Sequence, residues 1–472
     1  METKKVYNRV TPEILEKLRE IIGQDGVTFD SFVLEKYSHD ETEDLQYMPE
    51  VVVLPADTAQ ISQILQLCSE HRIPVTPRAG GTGLSGGALA AYGGVLLSVE
   101  KLNHILEIDR DNLMAVVEPG VITEVLQNEA ERHGLFYPPD PASKGSCCIG
   151  GNVAECAGGP RALKYGVTKD YVYGLEVVLP SGEIIQTGGK LLKNVTGYNL
   201  TQLMVGSEGT LGIVTKIILK LVPLPTHKRT LLVPFSTIRD AAGTVAAIFQ
   251  AGITPSAVEF MEQEAILVAE QRMEKKFPYS EAPALLLIEV DGPDAQTLEK
   301  QTERIGEVAL ERNATDVYVA DSPEKQAYLW AMRRSIGESV KAISAYKEED
   351  TVVPRARLPE LMDVVADMET KYGLRAICYG HAGDGNIHVN ILKQELPDEV
   401  WNRILPQAVN ELFTKVFELG GTLSGEHGIG LVQKGYMPIV MEPAQLRLMR
   451  EIKRVFDPHN ILNPGKIFPE GV

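Results

Sequence analysis

A glycine-rich loop that directly follows a short apolar strand is the feature that most constrains the fold of this chain. The stretch "PRAGGTGLSGGA" at residues 77–88 places Gly81, Gly83 and Gly86 in the G-x-G-x-x-G register of dinucleotide-binding βαβ units. Only "GALAAYGG" separates the motif from the next apolar run, so there is no room for the crossover helix that a Rossmann fold requires. Successive glycine N–H groups can still wrap a pyrophosphate without a helix, and Arg78 would add positive charge.

Apolar periodicity in the rest of the chain predicts α/β structure in more than one domain. The 472 residues exceed what one core of about 100–200 residues needs. An amphipathic helix is predicted at residues 11–23, and alternating strand and helix patterns follow from residue 51. Residues 140–215 are glycine-rich, which indicates a backbone lying close to another group. The prolines of "LVPLPTHK" at 221–228 indicate a domain boundary.

Composition limits the partners that the chain can have. The 64 acidic and 46 basic residues give a net charge of −18, which disfavours nucleic acid and anionic membranes. The N-terminal "METKKVYNRV" lacks a signal-peptide core and no apolar run approaches a membrane span, so we expect a cytoplasmic protein. The five cysteines show no C-x-x-C spacing, so neither a disulfide framework nor an iron–sulfur cluster is indicated. Any electrons that the chain handles would therefore leave by another route.

Two turns that contain histidine form a candidate metal site. "YGHAGDGNIHVN" predicts a β-hairpin in which His381 and His388 face each other across the ladder and Asn390 shares the face of His388. "LSGEHGIG" adds Glu426 and His427 between glycines. Two imidazoles and one carboxylate are the ligand set of catalytic divalent-metal sites, although a polar hairpin exposed to water would also explain the histidine pair.

Five stretches together resemble the vanillyl-alcohol-oxidase (PCMH-type) superfamily of FAD-binding oxidoreductases. They are "PRAGGTGLSGGA", "PPDPAS", "IGGNVAECAGG", "NVTGYNLTQLMVGSEGTLGIVT" and "DPHNILNPGKIF", in that order within residues 45–468. The histidine hairpin and the "GEHG" turn are similar to the D-2-hydroxyacid dehydrogenase branch. That branch includes D-lactate dehydrogenase, D-2-hydroxyglutarate dehydrogenase and the flavin subunit of glycolate oxidase.

The resemblance implies an α+β fold in three segments. Residues 1–225 would form a two-subdomain PCMH-type FAD-binding domain, 226–425 an α/β cap domain over the flavin, and 426–472 a segment that returns to the flavin site. Thr82 stands where relatives with covalently tethered flavin have a histidine, which implies non-covalent FAD. The implied cofactor-binding residues are Pro77, Arg78, Ala79, Gly80, Gly81, Thr82, Gly83, Ser85, Pro139, Asp140, Ser143, Gly150, Gly151, Asn152, Ala154, Gly158, Gly159, Glu208, Gly212, Ile213 and Asn463.

The resemblance also implies a divalent metal, zinc or manganese, held by His381, His388 and Glu426. The metal would bind the substrate hydroxyl and lower its pKa. His427, beside a ligand, is the expected catalytic base, and a role as a fourth metal ligand stays open.

Substrate binding is implied for Arg333, which matches the family's carboxylate-binding arginine, and for Lys347 as its companion. Asn390 either binds the substrate or orients His388. Gly337 stands where the hydroxyglutarate branch tends to have a side-chain hydroxyl, which favours a small substrate.

The implied activity is FAD-dependent oxidation of D-lactate or glycolate to the 2-oxoacid by hydride transfer to flavin. D-2-hydroxyglutarate is the alternative substrate. A non-redox FAD-dependent alkyl transferase would be expected to carry a run of adjacent histidines, and "GEHG" has one. A nicotinamide-linked reductase and a pure binding role are further alternatives. The expected electron acceptor is a separate electron-transfer flavoprotein, quinone-linked partner or iron–sulfur subunit, and a homodimer is possible.

Overall fold

Two structural units divide the chain between them in a computed structural model that describes residues 7–470. The first unit contains the chain up to Gly158, Val167–Leu224 and the chain from Glu426 onward, and the second contains Gly159–Gly166 and Pro225–Gly425. The divisions after Leu224 and Gly425 lie next to the predicted boundaries, but the sequence did not assign residues 159–166 to the second unit. Residues 1–6, in which part of a signal peptide was sought, lie outside the described residues.

The first unit is built from short strands and helices. Along the chain these are α1 (Pro12–Ile22), β1 (Val27–Thr28), α2 (Ser31–Lys36), β2 (Val51–Val53), α3 (Thr58–His71), β3 (Val75–Arg78), β4 (Val95–Ser98), β5 (Ile105–Asp109), β6 (Met114–Val117), α4 (Thr123–Arg132), β7 (Leu135–Phe136) and α5 (Ile149–Glu155). After α6 (Ala162–Tyr165) of the second unit come β8 (Val172–Val178), β9 (Ile184–Gly188), α7 (Leu200–Met204), β10 (Ile213–Lys220) and β11 (Val222–Pro223).

The sheets of the first unit hold the glycine-rich loop at the end of a parallel strand. One sheet has the order β1-β2-β4-β3, a second has the order β5-β6-β10-β8-β9, and β11 pairs with β7. Strands β3 and β4 are parallel neighbours, and residues 79–94 between them contain no helix. This confirms the exclusion of a Rossmann fold. The predicted helix α1 is also confirmed, and the Thr11 side chain accepts a hydrogen bond from the N–H of Ile14.

The second unit is organised around a seven-stranded sheet. Its elements are β12 (His227–Phe235), α8 (Ile238–Gln250), β13 (Ala257–Glu262), α9 (Gln263–Met273), β14 (Ala284–Gly292), α10 (Ala295–Glu311), β15 (Tyr318–Ala320), α11 (Pro323–Lys341), β16 (Tyr346–Val352), α12 (Leu358–Tyr372), β17 (Arg375–Gly380), β18 (Asn386–Leu392) and α13 (Asp398–Glu418). The strand order is β15-β12-β14-β13-β17-β18-β16, and neighbouring strands are antiparallel. After α13 the chain returns to the first unit, where it forms two further helices, α14 (Met437–Val440) and α15 (Pro443–Phe456).

An apolar core joins α9 and α11 to one face of the seven-stranded sheet. Leu329, Met332 and Ile336 of α11 share this core with Met261 of β13 and Ile377 of β17. Side chains of β13, β17, β18 and β16 that point to the same face therefore lie on the α11 side of the sheet. Among residues 7–470, no helix combines the length and the apolar character that crossing a bilayer needs.

Candidate functional site

The histidine hairpin consists of β17 and β18, as the sequence predicts, but its register differs from the prediction. Tyr379, not His381, pairs with His388, and β17 ends at Gly380, so His381 lies in the turn beyond the ladder. The two imidazole rings still lie close together, with centroids 5.4 Å apart and planes at 85°. The hairpin thus brings both predicted ligands to one place through a tight turn, not through a cross-strand pair.

A buried carboxylate on β13 orients His381. Nδ1 of His381 lies 2.9 and 3.0 Å from the two carboxylate oxygens of Glu259. A carboxylate there favours the tautomer with the proton on Nδ1, which leaves Nε2 as a lone-pair donor for a metal ion. Burial acts to raise the pKa of Glu259, but the charges of His381 and Arg333 together hold that pKa below its ordinary value.

Glu259 escaped the sequence analysis because it lies 122 positions before His381. The signal that could have found it is a single acidic residue inside the apolar run "SAVEFM", which requires a buried partner.

Arg333, the predicted carboxylate clamp, is buried on α11 beside the same glutamate. Its Nη2 lies 2.6 Å from Oε2 of Glu259, and its guanidinium carbon lies 4.9 Å from the centroid of the Tyr379 ring. Nε of Arg333 has no hydrogen-bond partner within residues 7–470. The guanidinium is therefore held in place from one side while it keeps a donor for a bound anion.

The register of β16 decides which of its charged residues lie on the sheet face that carries His388. Glu348 pairs with Asn390 and Asp350 pairs with His388, whereas Lys347 pairs with Ile391. Directly opposite residues in an antiparallel pair share a face, and successive residues alternate. The strand therefore turns Lys347 to the opposite face from His388, and the substrate-binding role of Lys347 stays a prediction.

Acidic side chains from β16 surround the outer nitrogen of His388 instead. Oε1 of Glu348 lies 3.4 Å from Nδ1 of His388, and Oδ1 of Asp350 lies 3.6 Å from it. Both histidines thus have carboxylates at Nδ1, the arrangement common around metal-binding imidazoles. The donor chemistry of His381 and His388 fits a divalent metal.

Asp350 also fixes the end of the second unit. Its carboxylate accepts hydrogen bonds from the Asn386 side chain at 2.6 Å, from the Ser424 hydroxyl at 2.8 Å and from the N–H of Gly425 at 2.8 Å. Glu426, the third predicted metal ligand, is the next residue in the chain and belongs to the first unit. Asp350 was not among the residues predicted from the sequence.

Of the two remaining predicted positions of this face, Asn390 is buried and Gly337 is half-buried. Nδ2 of Asn390 donates to the backbone oxygen of Ile377 at 3.2 Å, which fixes the orientation of its amide. A Cβ atom at Gly337 would lie 3.1 Å from the hydroxyl of Tyr379, so the glycine gives that hydroxyl its space.

In the first unit, the glycine-rich loop offers backbone donors. Among the described residues, the N–H groups of residues 80–85 have no acceptor. Gly81 has φ +68°, and a Cβ atom there would collide with the Arg78 guanidinium. Arg78 itself donates to the backbone oxygen of His39 at 2.9 Å. A row of free N–H groups fits a pyrophosphate. Arg78 also stabilises the segment that contains His39 through this hydrogen bond.

The other predicted FAD contacts are spread over several segments, and their contacts to a cofactor stay predictions. Gly150 is tightly packed, because a Cβ atom there would lie 2.5 Å from Cβ of Pro119. Asn152 donates to the Thr123 hydroxyl at 2.7 Å. Pro139, Asp140 and Ser143 lie after β7, and Gly151 and Ala154 lie on α5. Gly158 follows α5, and Gly159 is the first residue of the segment that belongs to the second unit. Gly212 directly precedes β10, which begins at Ile213.

Glu208 binds the backbone of the segment that follows His427, a role that the sequence did not predict. Its carboxylate accepts the N–H groups of Ile429 at 2.8 Å and Gly430 at 2.7 Å, just after His427. Burial raises the pKa of Glu208, and these two hydrogen bonds act against that rise. Nδ2 of Asn463 donates to the backbone oxygens of Gly87 and Glu208 at 3.0 and 2.7 Å. Glu208 and Asn463 therefore tie the glycine-rich loop to the segment that contains His427.

Glu426 and His427 sit at the start of that segment. Nε2 of His427 lies 3.8 Å from Oε1 of Glu426, and a Cβ atom at Gly158 would lie 3.0 Å from Oε2 of Glu426. Gly428 follows with φ +79°, where a Cβ atom would collide with the carboxyl group of Glu155. The glycines around the two predicted functional residues thus permit a tight turn.

Two family models match this chain. "FAD binding domain" matches residues 49–188, and "FAD linked oxidases, C-terminal domain" matches residues 224–467, more than half of the chain. The chain belongs to the FAD-linked oxidases. This confirms the resemblance drawn from the five motifs and the FAD-binding oxidoreductase class.

Several curated proteins resemble this FAD-linked oxidase over nearly their whole length. Glycolate oxidase subunit GlcD of Bacillus subtilis is 44% identical over 463 residues, 97% of each chain. D-lactate dehydrogenase of Anaerostipes hadrus is 40% identical and covers 98% of each chain. D-2-hydroxyglutarate dehydrogenase of Stutzerimonas stutzeri is 33% identical, over 97% of this chain and 99% of the relative. These relatives belong to the D-2-hydroxyacid branch that the motifs indicated.

The solved structure of p-cresol methylhydroxylase matches the fold with a TM-score of 0.80 over 96% of both chains, at 19% identity. The predicted α+β PCMH-type fold class is confirmed.

Proposed function

We propose that this FAD-linked oxidase oxidises a small D-2-hydroxyacid, D-lactate or glycolate, to the 2-oxoacid. The observation that carries the proposal is the shared carboxylate of Glu259, which contacts both the buried guanidinium of Arg333 and the imidazole of His381. Glu259 thereby fixes the candidate carboxylate-binding Arg333 and the candidate metal ligand His381 relative to each other. The names of the glycolate and D-lactate relatives support the same substrate class.

Oxidation at C2 requires that a hydride leave the carbon and a proton leave the hydroxyl group. FAD, when bound, supplies the hydride acceptor, and a zinc or manganese ion, when bound, supplies a Lewis acid for the hydroxyl group. Arg333 binds the substrate carboxylate and fixes the position of C2. His427 accepts the hydroxyl proton at a ring nitrogen.

We further propose His381, His388 and Glu426 as the residues that hold the metal. Glu426 directly follows Gly425, whose N–H is held by Asp350, and Asp350 lies 3.6 Å from His388. The sequence places one histidine in "GEHG", and this supports a redox reaction over the alkyl-transfer alternative.

The two electrons taken from the substrate would pass to a separate acceptor, an electron-transfer flavoprotein, a quinone-linked partner or an iron–sulfur subunit. Non-covalent attachment of FAD, with Thr82 in the place of a tethering histidine, and a cytoplasmic location complete the proposal.

Anaerobic titration with D-lactate, glycolate, their L-enantiomers where these exist, and NADPH tests the activity. Bleaching of the yellow flavin by D-lactate or glycolate supports the proposal, and bleaching only by NADPH or by no compound overturns it. Chelation should abolish turnover while FAD stays bound, and elemental analysis of active protein that finds no metal would refute the metal site. Acid precipitation should release all flavin.

A further inference from the structure

We infer that residues 159–166 form a strap that positions the histidine turn (residues 381–385) for metal binding, with Leu163 as the positioning residue. This inference rests on the metal site proposed above and deepens it. Within residues 7–224, the strap alone belongs to the second unit. The segments on both sides of it, up to Gly158 and from Val167 onward, belong to the first unit.

The strap has a compact conformation of its own. It contains the short helix α6, the N–H of Ala162 donates to the backbone oxygen of Gly159 at 3.0 Å, and the N–H of Gly166 donates to that of Ala162 at 2.8 Å. Gly159 and Gly166, at its two ends, have φ values of +120° and +86°, which glycine adopts without strain. The chain therefore enters and leaves the strap through sharp turns.

Two side chains anchor the strap to β14. Nζ of Lys164 donates to the backbone oxygen of Asp291 at 2.7 Å and forms an ion pair with the Asp291 carboxylate. The hydroxyl of Tyr165 donates to Oδ2 of the same carboxylate at 2.9 Å. The Asp291 side chain is 6% exposed, so solvent screens these contacts little. The strap is thus fixed to the strand that pairs with β13, the strand of Glu259.

Leu163 packs against the histidine turn. A Cβ atom at Gly383 would collide with Cδ2 of Leu163, and the three protein atoms nearest to it all belong to that side chain. The N–H of Gly383 donates to the backbone oxygen of Val258 at 3.0 Å, and Val258 directly precedes Glu259. The turn is therefore held both by the backbone of β13 and by the side chain of Leu163.

The position of Gly383 bears directly on His381, which lies two residues before it. The backbone oxygen of His381 accepts the N–H groups of Asp384 and Asn386 at 3.2 and 3.1 Å, so the turn moves as one piece. A metal site requires its ligand atoms within about 0.2 Å of their proper distances. Residues that orient a ligand from outside typically contribute about 10–100-fold to metal affinity. Loss of the Leu163 side chain should therefore weaken metal binding.

Zinc titration of the metal-free, FAD-loaded full chain, in competition with a chromophoric chelator, measures the effect. Leu163→Ala should raise the Kd for zinc by about 10-fold or more while FAD stays bound. Leu163→Met conserves the volume and should stay within about threefold of wild type. Leu405→Ala, the same truncation at a half-buried position of α13, should lose stability but keep the wild-type affinity for zinc.

A second set of variants tests the contact itself. Gly383→Ala adds a methyl group that would collide with Leu163, so it should weaken zinc binding by itself. In the Leu163→Ala background this methyl group has the space that the leucine left. The double variant should therefore lose clearly less affinity than the product of the two single losses. A loss equal to that product overturns the inference.

Unchanged zinc affinity in Leu163→Ala also overturns it, and so does an equal loss in Leu405→Ala, because the loss would then follow stability. If Leu163→Ala does not fold, unchanged affinity in Gly383→Ala has the same consequence. A wild-type protein that binds neither zinc nor manganese refutes the proposed metal site and this inference with it. Reduction of the flavin by D-lactate reports on the proposed activity separately.

Discussion

The two units build their candidate sites from different parts of the polypeptide. In the first unit, residues 80–85 of the glycine-rich loop offer backbone N–H groups, and Arg78, near the start of the loop, donates to the backbone oxygen of His39. In the second unit, Arg333, Glu259 and His381 are buried charged or polar side chains on regular elements. A binding site made of backbone N–H groups requires small residues, so glycines in the sequence indicate it directly. A side-chain site needs a particular register, which local sequence does not encode.

Electrostatics separates two glutamates even within one strand of the second unit. Glu259 of β13 has its pKa held below the ordinary value, because His381 and Arg333 together outweigh burial. Glu262, three residues later, points to the other face, where burial raises its pKa to about 8 despite a hydrogen bond from the N–H of Cys378. Burial alone therefore does not distinguish the two faces of β13, whereas pairing with His381 and Arg333 does.

The largest expected effect would come from the backbone site. A valine at Gly81 would require φ +68° and would collide with Arg78, whereas a Cβ atom at Gly83 meets no protein atom within 4 Å. Gly83→Val should therefore keep the fold of the apoprotein but lose nearly all FAD, and Gly81→Val should lose both FAD and stability. Flavin absorbance after gel filtration, with thermal unfolding of the apoproteins, measures the two effects. Full FAD occupancy in Gly83→Val would break the comparison, because the pyrophosphate would then lie elsewhere.

The next effect concerns His427, which separates chemistry from binding. His427→Asn should keep FAD and metal while it slows flavin reduction by roughly 10²–10⁴-fold, the usual contribution of a general base. Glu426→Gln, the adjacent change, should lose metal instead. Stopped-flow reduction and metal analysis on the same samples distinguish the two residues. Metal loss in His427→Asn would make His427 a ligand, and an unchanged rate would move the base to another group.

A smaller effect is expected at Glu259, which acts through other residues. Glu259→Gln removes the charge that orients His381 and Arg333, so metal affinity should fall by roughly 10–10²-fold and KM for D-lactate should rise. Glu262→Gln on the opposite face of the same strand is the matched control and should leave both quantities near wild type. If the two variants behave alike, the face defined by Arg333 and His381 is not the functional one.

The last effect is on stability, not on binding or rate, and comes from Glu262. Its carboxyl group has a folded-state pKa of about 8 against an ordinary value of 4.5, so its contribution to stability is greatest below the ordinary value and is lost as pH rises to about 8. Wild-type stability relative to Glu262→Gln should therefore fall between pH 5 and pH 8.5, by roughly 2–5 kcal/mol. Thermal or urea unfolding of both proteins at the two pH values measures this difference. A constant difference would mean that Glu262 is not protonated in the folded state.

Sequence by itself determined the features that depend on local chemistry. The Thr11 cap of α1, the hairpin around residues 381–388 and the loop after β3 follow from residue types and spacing over a few positions. The missing crossover helix could be predicted because chain length between two strands is a local quantity. Family membership also followed from the motifs, since each motif is short and their order is preserved along the chain.

Only the tertiary structure decided which distant side chains meet. Glu259 reaches His381 across 122 positions because β13 and β17 are neighbours in the sheet, and no local pattern specifies that neighbour. Which of Lys347 and Glu348 shares the face of His388 has the same origin, since a shift of one residue in strand register moves every side chain to the other face. Register is set by pairing with β18 and by packing against helices, both of which are long-range properties of the folded chain.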